Sequence, residues 1–408
     1  MSYHIHTLDS GLRLAFMPED EKVTYMGFAV MTGTRHENKS AYGMAHLVEH
    51  MLFKGTYSRN STHIIQRAEE VGAELNAYTT KEETFIYAAL PQPYWQRIFL
   101  LLSDVVLNSR FPQDELDKEK TVIIDEINSY RDNPSELIYD EFENLLFAHT
   151  PLGHSILGSE RSVNHISTAM SMRFMREHYK PSNMLFFVKG NVDEPRLIEL
   201  AERVFGGFPV TPPSVCLPSP MLIPSRPQTV RHRRDTYQQH VMIGCSTHSM
   251  HSKERIPLSL LLNILGGPGM NSRLNMSLRE RHGLVYNVEA TYNAYSDTGI
   301  LTVYFASAHK HVDQATELVY KEMKQLAETP LSEAQLSAAK RQAKGQLLIA
   351  DDGRENVALS FAKSLLHYGK FDGMDTVLSR IDAVTAEQIR QIAAETLIPD
   401  RMSRLIYC

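Results

Sequence analysis

Short apolar or alternating stretches predict strands at Leu12–Met17, Tyr25–Met31, Thr84–Leu90 and Asn183–Val188. Elsewhere the spacing lengthens to the three-and-four rhythm of helices, around residues 41–54, 62–72, 92–108 and 113–131. Residues 206–226 break both rhythms: prolines cluster there, and the stretch reads as a linker. Beyond it, strand-like runs return at Gln239–Cys245, Tyr286–Tyr292 and Leu301–Ala306. Helical stretches follow near 310–328, 331–368 and 385–396. The pattern therefore divides the chain into two domains, residues 1–205 and 227–408.

The second half reads as a worn copy of the first. KGTYSR at 54–59 aligns with PGMNSR at 268–273, an offset of 214 residues. At that offset His46, Glu49 and His50 fall on Leu260, Asn263 and Ile264. The helical run from Phe111 aligns with the run from Leu331 at an offset of 220, which sets Glu119 and Glu126 opposite Ala339 and Gln346. A duplication read this way leaves the chemistry in one copy. The plainer alternative is a chance likeness between amphipathic segments.

Composition narrows the function. With 408 residues, 43% hydrophobic and 22% charged, the chain has the balance of a globular protein large enough for two cores. A net charge of -6 without basic tracts gives no footprint for nucleic acid. No apolar run is long enough for a membrane span, and the first residues lack the basic-then-apolar pattern of a signal peptide. The three cysteines, Cys216, Cys245 and Cys408, form no CxxC pair and no disulfide framework. These features lead us to expect a cytoplasmic protein.

The chemistry concentrates in AYGMAHLVEHMLFK, residues 41–54. Met44, Leu47, Val48, Met51 and Leu52 take one helix face, and His46, Glu49 and His50 cluster on the other. Two histidines four residues apart project from successive turns and can reach one ion, with Glu49 between them. A carboxylate is needed because zinc only lowers the pKa of bound water to about 7, and a base must still take the proton. Zinc also wants a third protein ligand. Glu119 and Glu126 share a helix face with Leu116, Ile123 and Ile127, where a carboxylate is costly to bury without compensation. Read from the residues alone, either acid could instead be an ordinary salt-bridged helix carboxylate.

HxxEH is the inverted zincin motif. Together with GMAHLVEHMLFKGT (43–56), GAELNAYTTKEETFIY (72–87), EKTVIIDEI (119–127), and GGPGMNSRL and LRERHGLVYNV between 266 and 288, it gives the whole chain a specific resemblance. The chain resembles the pitrilysin/insulinase family of zinc metallopeptidases, in particular the short branch similar to mitochondrial processing peptidase and bacterial processing-protease-like proteins.

The resemblance implies an α+β fold of two homologous domains, each a mostly antiparallel sheet packed with helices. It implies one Zn2+ per chain on His46, His50 and Glu126, with Glu49 as general base and Glu119 orienting a ligand histidine. Asn76 and Ala77 match the family's substrate-binding edge strand, here Glu74–Tyr78, where an extended peptide would add as a further strand. Without the resemblance, Asn76 could simply end a strand or shape a turn. Arg279 and Tyr286 match the family's pair that holds the substrate carbonyl and stabilises the oxyanion. Because both sets of residues lie on one chain, the resemblance implies a homodimer with composite active sites, acting on peptide substrates as an endopeptidase. Two rival expectations are a catalytically silent peptide-binding subunit and a heterodimeric subunit that needs a partner chain.

Overall fold

The computed structural model describes residues 2–209, 227–234 and 236–408. Most of the expected linker, residues 210–226, lies outside the described residues, as does Cys216. By proximity the chain falls into two compact units, one of Met1–Asn128, His154–Cys216 and Asp351–Asp372, the other of Ser129–Gly153, Leu217–Ala350 and Gly373–Cys408.

The first unit is built on six strands: β1 (His4–Thr7), β2 (Arg13–Pro18), β3 (Val23–Val30), β4 (Glu74–Thr79), β5 (Thr84–Pro91) and β6 (Met184–Gly190). Their order across the sheet is β1-β2-β6-β3-β5-β4, with β2 and β6 parallel and the other pairs antiparallel. Both faces are covered, so alternate residues of one strand enter different cores. On β5, Ile86 and Ala88 join the larger core with the helices Met44–Leu52 and Trp95–Asn108. Phe85 and Tyr87, on the other face, pack with Leu185 and Phe187 against Val357, Phe361 and Leu365 of the helix Arg354–Tyr368. Each large apolar side chain buried this way contributes about 1.5–3 kcal/mol. Double coverage also explains why β6 is buried along its whole length and opens with the apolar run Met184–Val188.

The second unit carries five strands: β7 (Thr229–His232), β8 (Gln239–Thr247), β9 (Val285–Ala294), β10 (Gly299–Ser307) and β11 (Ser403–Tyr407). Their order is β7-β11-β8-β10-β9, with β7 and β11 parallel. That is the order of the first sheet without β1, strand for strand. One face packs on the helices Arg255–Gly266, Val312–Glu328 and Ala386–Thr396, the other on the helix Pro134–Leu146. The fold is thus the α+β pair of homologous domains that the sequence leads us to expect. The repeat extends to the helices: Gln113–Arg131 and Glu333–Asp351 are both 19 residues long and stand at the offset of 220.

The unit boundaries differ from a division at 205 and 227. Residues 129–153 belong with the second unit and 351–372 with the first. The reason is the second face of each sheet: the helix that covers it comes from the other half of the chain. The stretch 331–368 is also two helices rather than one, divided where Gly353 takes an extended conformation as the cap of Arg354–Tyr368.

Candidate metal centre

The helix Met44–Leu52 carries the HxxEH residues, and its start is tightly held. Gly43 caps it with φ 93°, a conformation that favours glycine, and a Cβ there would lie 2.6 Å from the Leu157 carbonyl oxygen. The Glu37 carboxylate accepts from the N–H groups of Gly43 (2.9 Å) and Ala45 (2.7 Å). Its remaining neighbour is His154 Nε2 at 3.1 Å, and the His154 ring is stacked on Tyr42. Burial pushes the Glu37 carboxyl upward, against the pull of these donors. Met44, Leu47, Val48, Met51 and Leu52 are all buried beneath, as their spacing predicts.

On the opposite face the rings of His46 and His50 stand 4.5 Å apart, centre to centre. The helix Gln113–Arg131 brings Glu126 to them, with its Oε2 3.8 Å from His46 Nε2. One donor atom from each of His46, His50 and Glu126 lies within 4.8 Å of the others, the one such cluster among the described residues. Donors around a tetrahedral zinc are about 3.4 Å apart, given bonds of about 2.0–2.2 Å. Small side-chain rotations would close the remaining gap. The electrostatics also fit a cation. Burial and the neighbouring His50 push His46 down to about 3, so its imidazole is neutral and offers a lone pair. Burial raises Glu126, which leaves it in want of a cation.

Glu119, one helical face with Glu126, is buried and accepts on both oxygens. Oε2 lies 3.0 Å from His50 Nδ1 and Oε1 2.7 Å from Lys54 Nζ. Burial alone would raise this carboxyl, but the bonds from Lys54 and His50 hold it below the usual carboxylate range. With a carboxylate as acceptor, His50 keeps its proton on Nδ1 and leaves Nε2 free.

Glu49 lies between the histidines. Burial raises its carboxyl, and a hydrogen bond from Thr79 Oγ1 to its Oε2, at 2.8 Å, works the other way. Thr79 ends β4, which among the described residues pairs with β5 alone, Asn76 standing opposite Tyr87 and Ala77 opposite Ile86. Arg279 and Tyr286 lie in the second unit. Arg279 sits in the wide helical turn Asn275–Arg281, its guanidinium 5.5 Å from the ring of Tyr286, which is 80% exposed.

Sequence reasoning passed over Lys54, Thr79, Glu37 and His154. Lys54 follows His50 by four residues and could have been read as its neighbour on the same helical face. Thr79 lies one residue beyond the expected strand. The partnership of Glu37 with His154 joins residues 117 apart, and no local pattern marks it. No helix among the described residues is long and apolar enough to cross a membrane.

Comparison with known proteins agrees with this architecture. Residues 16–160 match the family described as Insulinase (Peptidase family M16), and residues 166–343 match the Peptidase M16 inactive domain. The chain is 32% identical over 398 residues to an uncharacterized zinc protease of Mycobacterium leprae, covering 96% of this chain and 88% of that protein. It is 31% identical over 394 residues to an uncharacterized zinc protease of Rickettsia felis, covering 95% and 93%. Among solved structures, a peptidase M16 inactive domain from Pseudomonas fluorescens superposes with a TM-score of 0.91 at 18% identity, covering 100% of this chain and 98% of that one. The chain belongs to the insulinase family of peptidases, family M16.

Proposed function

We propose that the protein is a zinc-dependent endopeptidase that cleaves extended oligopeptides or unfolded precursor segments. The observation that carries this reading is the convergence of His46, His50 and Glu126 within 4.8 Å, beside a carboxylate that is not one of the three. A pair of imidazoles and one carboxylate suit zinc and related divalent ions. Zinc held there would act as a Lewis acid toward the scissile carbonyl and the attacking water.

The rest of the chemistry belongs to the chain. The open edge of β4 receives the peptide backbone around Asn76 and Ala77, so affinity comes from main-chain bonds and tolerates varied side chains. Glu49 takes a proton from the attacking water and delivers it to the leaving amine. Glu119 holds His50 in the orientation and tautomer that a ligand needs. Arg279 and Tyr286 supply positive charge and a hydroxyl for the developing oxyanion. Because both sets of residues lie on one chain, two copies form a homodimer, and each contributes this pair to the other's centre.

The test is hydrolysis of a peptide library by the purified chain and by Glu49→Gln. Chelator-sensitive cleavage that zinc restores, and that Glu49→Gln loses, supports the reading. Near-normal cleavage by Glu49→Gln overturns the assigned base.

A further inference from the structure

We propose that Thr79 is a positioning residue that ties the peptide-binding edge to the base, by fixing the carboxylate of Glu49 through its hydroxyl. This rests on the assignment of Glu49 as base and β4 as the peptide edge, and adds a physical connection between them.

The hydrogen-bond direction is determined by the neighbours. Thr79 stands opposite Thr84 at the end of the β4–β5 pair, with their hydroxyl oxygens 3.5 Å apart. Thr84 donates its one proton to the Thr32 carbonyl at 2.8 Å. The proton on Thr79 Oγ1 is therefore free to go to Glu49 Oε2, 2.8 Å away. A β-branched side chain in a strand has few rotamers, so this donor is held in place by the backbone of β4. With Oε2 occupied, Oε1 is the oxygen left to exchange a proton with water and then with the leaving amine.

The consequence is a coupling along the chain. A peptide that pairs with β4 orders the strand up to its last residue, and that residue holds the base. Losing the hydroxyl frees the carboxylate to turn about its terminal torsion, which is broad and nearly unrestrained without a partner. The cost then falls on the chemical step and spares both peptide pairing and metal binding.

The experiment compares wild type, Thr79→Val, which keeps the shape and removes the donor, and Thr79→Ser, which keeps the donor. Steady-state hydrolysis of a quenched peptide gives kcat and KM separately. Chelator competition gives the zinc dissociation constant, and titration with a phosphinic peptide, which mimics the tetrahedral state, gives a binding readout independent of turnover. For Thr79→Val we expect kcat to fall about tenfold, the weight of one positioned hydrogen bond. Phosphinic peptide binding should weaken about equally, with KM and zinc affinity within about twofold of wild type. Thr79→Ser should recover kcat to within about threefold. Combined with Glu49→Gln, Thr79→Val should add no further loss.

An unchanged kcat in Thr79→Val, a rise in KM alone, or a failure of Thr79→Ser to recover would overturn the proposal. If Thr79→Val does not fold, Thr79→Ala, which also removes the donor, takes its place in every measurement with the same outcomes expected. A wild type that neither hydrolyses peptide nor binds zinc would instead overturn the underlying assignment.

Discussion

The Asn263 side-chain amide donates to the Gln346 side-chain carbonyl at 2.7 Å. By the two offsets of the internal repeat, these residues stand where the first unit has Glu49 and Glu126. The helices concerned, Arg255–Gly266 and Glu333–Asp351, overlap Met44–Leu52 and Gln113–Arg131 at those offsets, and both contribute side chains to the core of the second unit. The histidines have become Leu260, which is buried, and Ile264, which packs against the same core. The second copy thus keeps the scaffold of the centre and replaces its acids with a neutral amide pair that needs no ion.

That pair predicts a contrast. Gln346→Ala should cost about 1 kcal/mol of stability, the ordinary net value of one hydrogen bond, and leave metal content unchanged. Glu126→Ala should lower zinc affinity steeply with a smaller effect on unfolding. Denaturant titration and metal analysis of the two variants check both halves.

Glu119 offers a test of the ligand orientation. Removing partners that orient a metal-bound histidine typically costs 10–100-fold in affinity, so Glu119→Gln should weaken zinc binding by about that factor while leaving the fold intact. Competition with a chromophoric chelator measures it. Unchanged affinity would make Glu119 a partner of Lys54 alone.

The cover of the first sheet gives a pH dependence. Burial would raise the Glu83 carboxyl, but bonds from His367 and Lys363 on the helix Arg354–Tyr368 outweigh it and bring the group down to about 2. A depressed carboxyl stabilises the fold fully above its unfolded pKa, near 4.5, and that contribution is lost as the pH falls toward 2. Stability of the wild type should therefore decline through this window. Glu83→Gln should lose about 3 kcal/mol at neutral pH, by leaving His367 buried without its carboxylate, and show a flatter acid limb. Unfolding titrations between pH 2 and 7 compare the two.

The proposal that two copies form a homodimer with composite sites is tested by complementation. Neither Glu49→Gln nor Tyr286→Phe homodimers should cleave peptide at more than a small fraction of the wild-type rate. A mixed dimer of the two should regain about one working site. No recovery in a dimer shown to be mixed would place Arg279 and Tyr286 outside any shared site.

Much of the centre was legible because HxxEH is a local pattern: helical geometry alone brings His46, Glu49 and His50 to one face. Glu126 required a second helix, and only its apolar neighbours Ile123 and Ile127 hinted at the face it occupies. Least legible was the exchange of Pro134–Leu146 and Arg354–Tyr368 between the two units, because an amphipathic helix does not encode which sheet it will cover. The edge strand β1 is exposed along its length, and so carries no apolar signal. Thr79 was missed by a single residue at a strand end, where pairing rather than side-chain pattern sets the limit.

The central claim is that His46, His50 and Glu126 together hold a cation. Its most direct test is the metal content of purified protein after equilibration with zinc and removal of the excess. We predict about one zinc per chain for wild type and Glu49→Gln, and almost none for His50→Ala. A wild type that retains no zinc, or a His50→Ala protein that retains as much as wild type, would contradict the account.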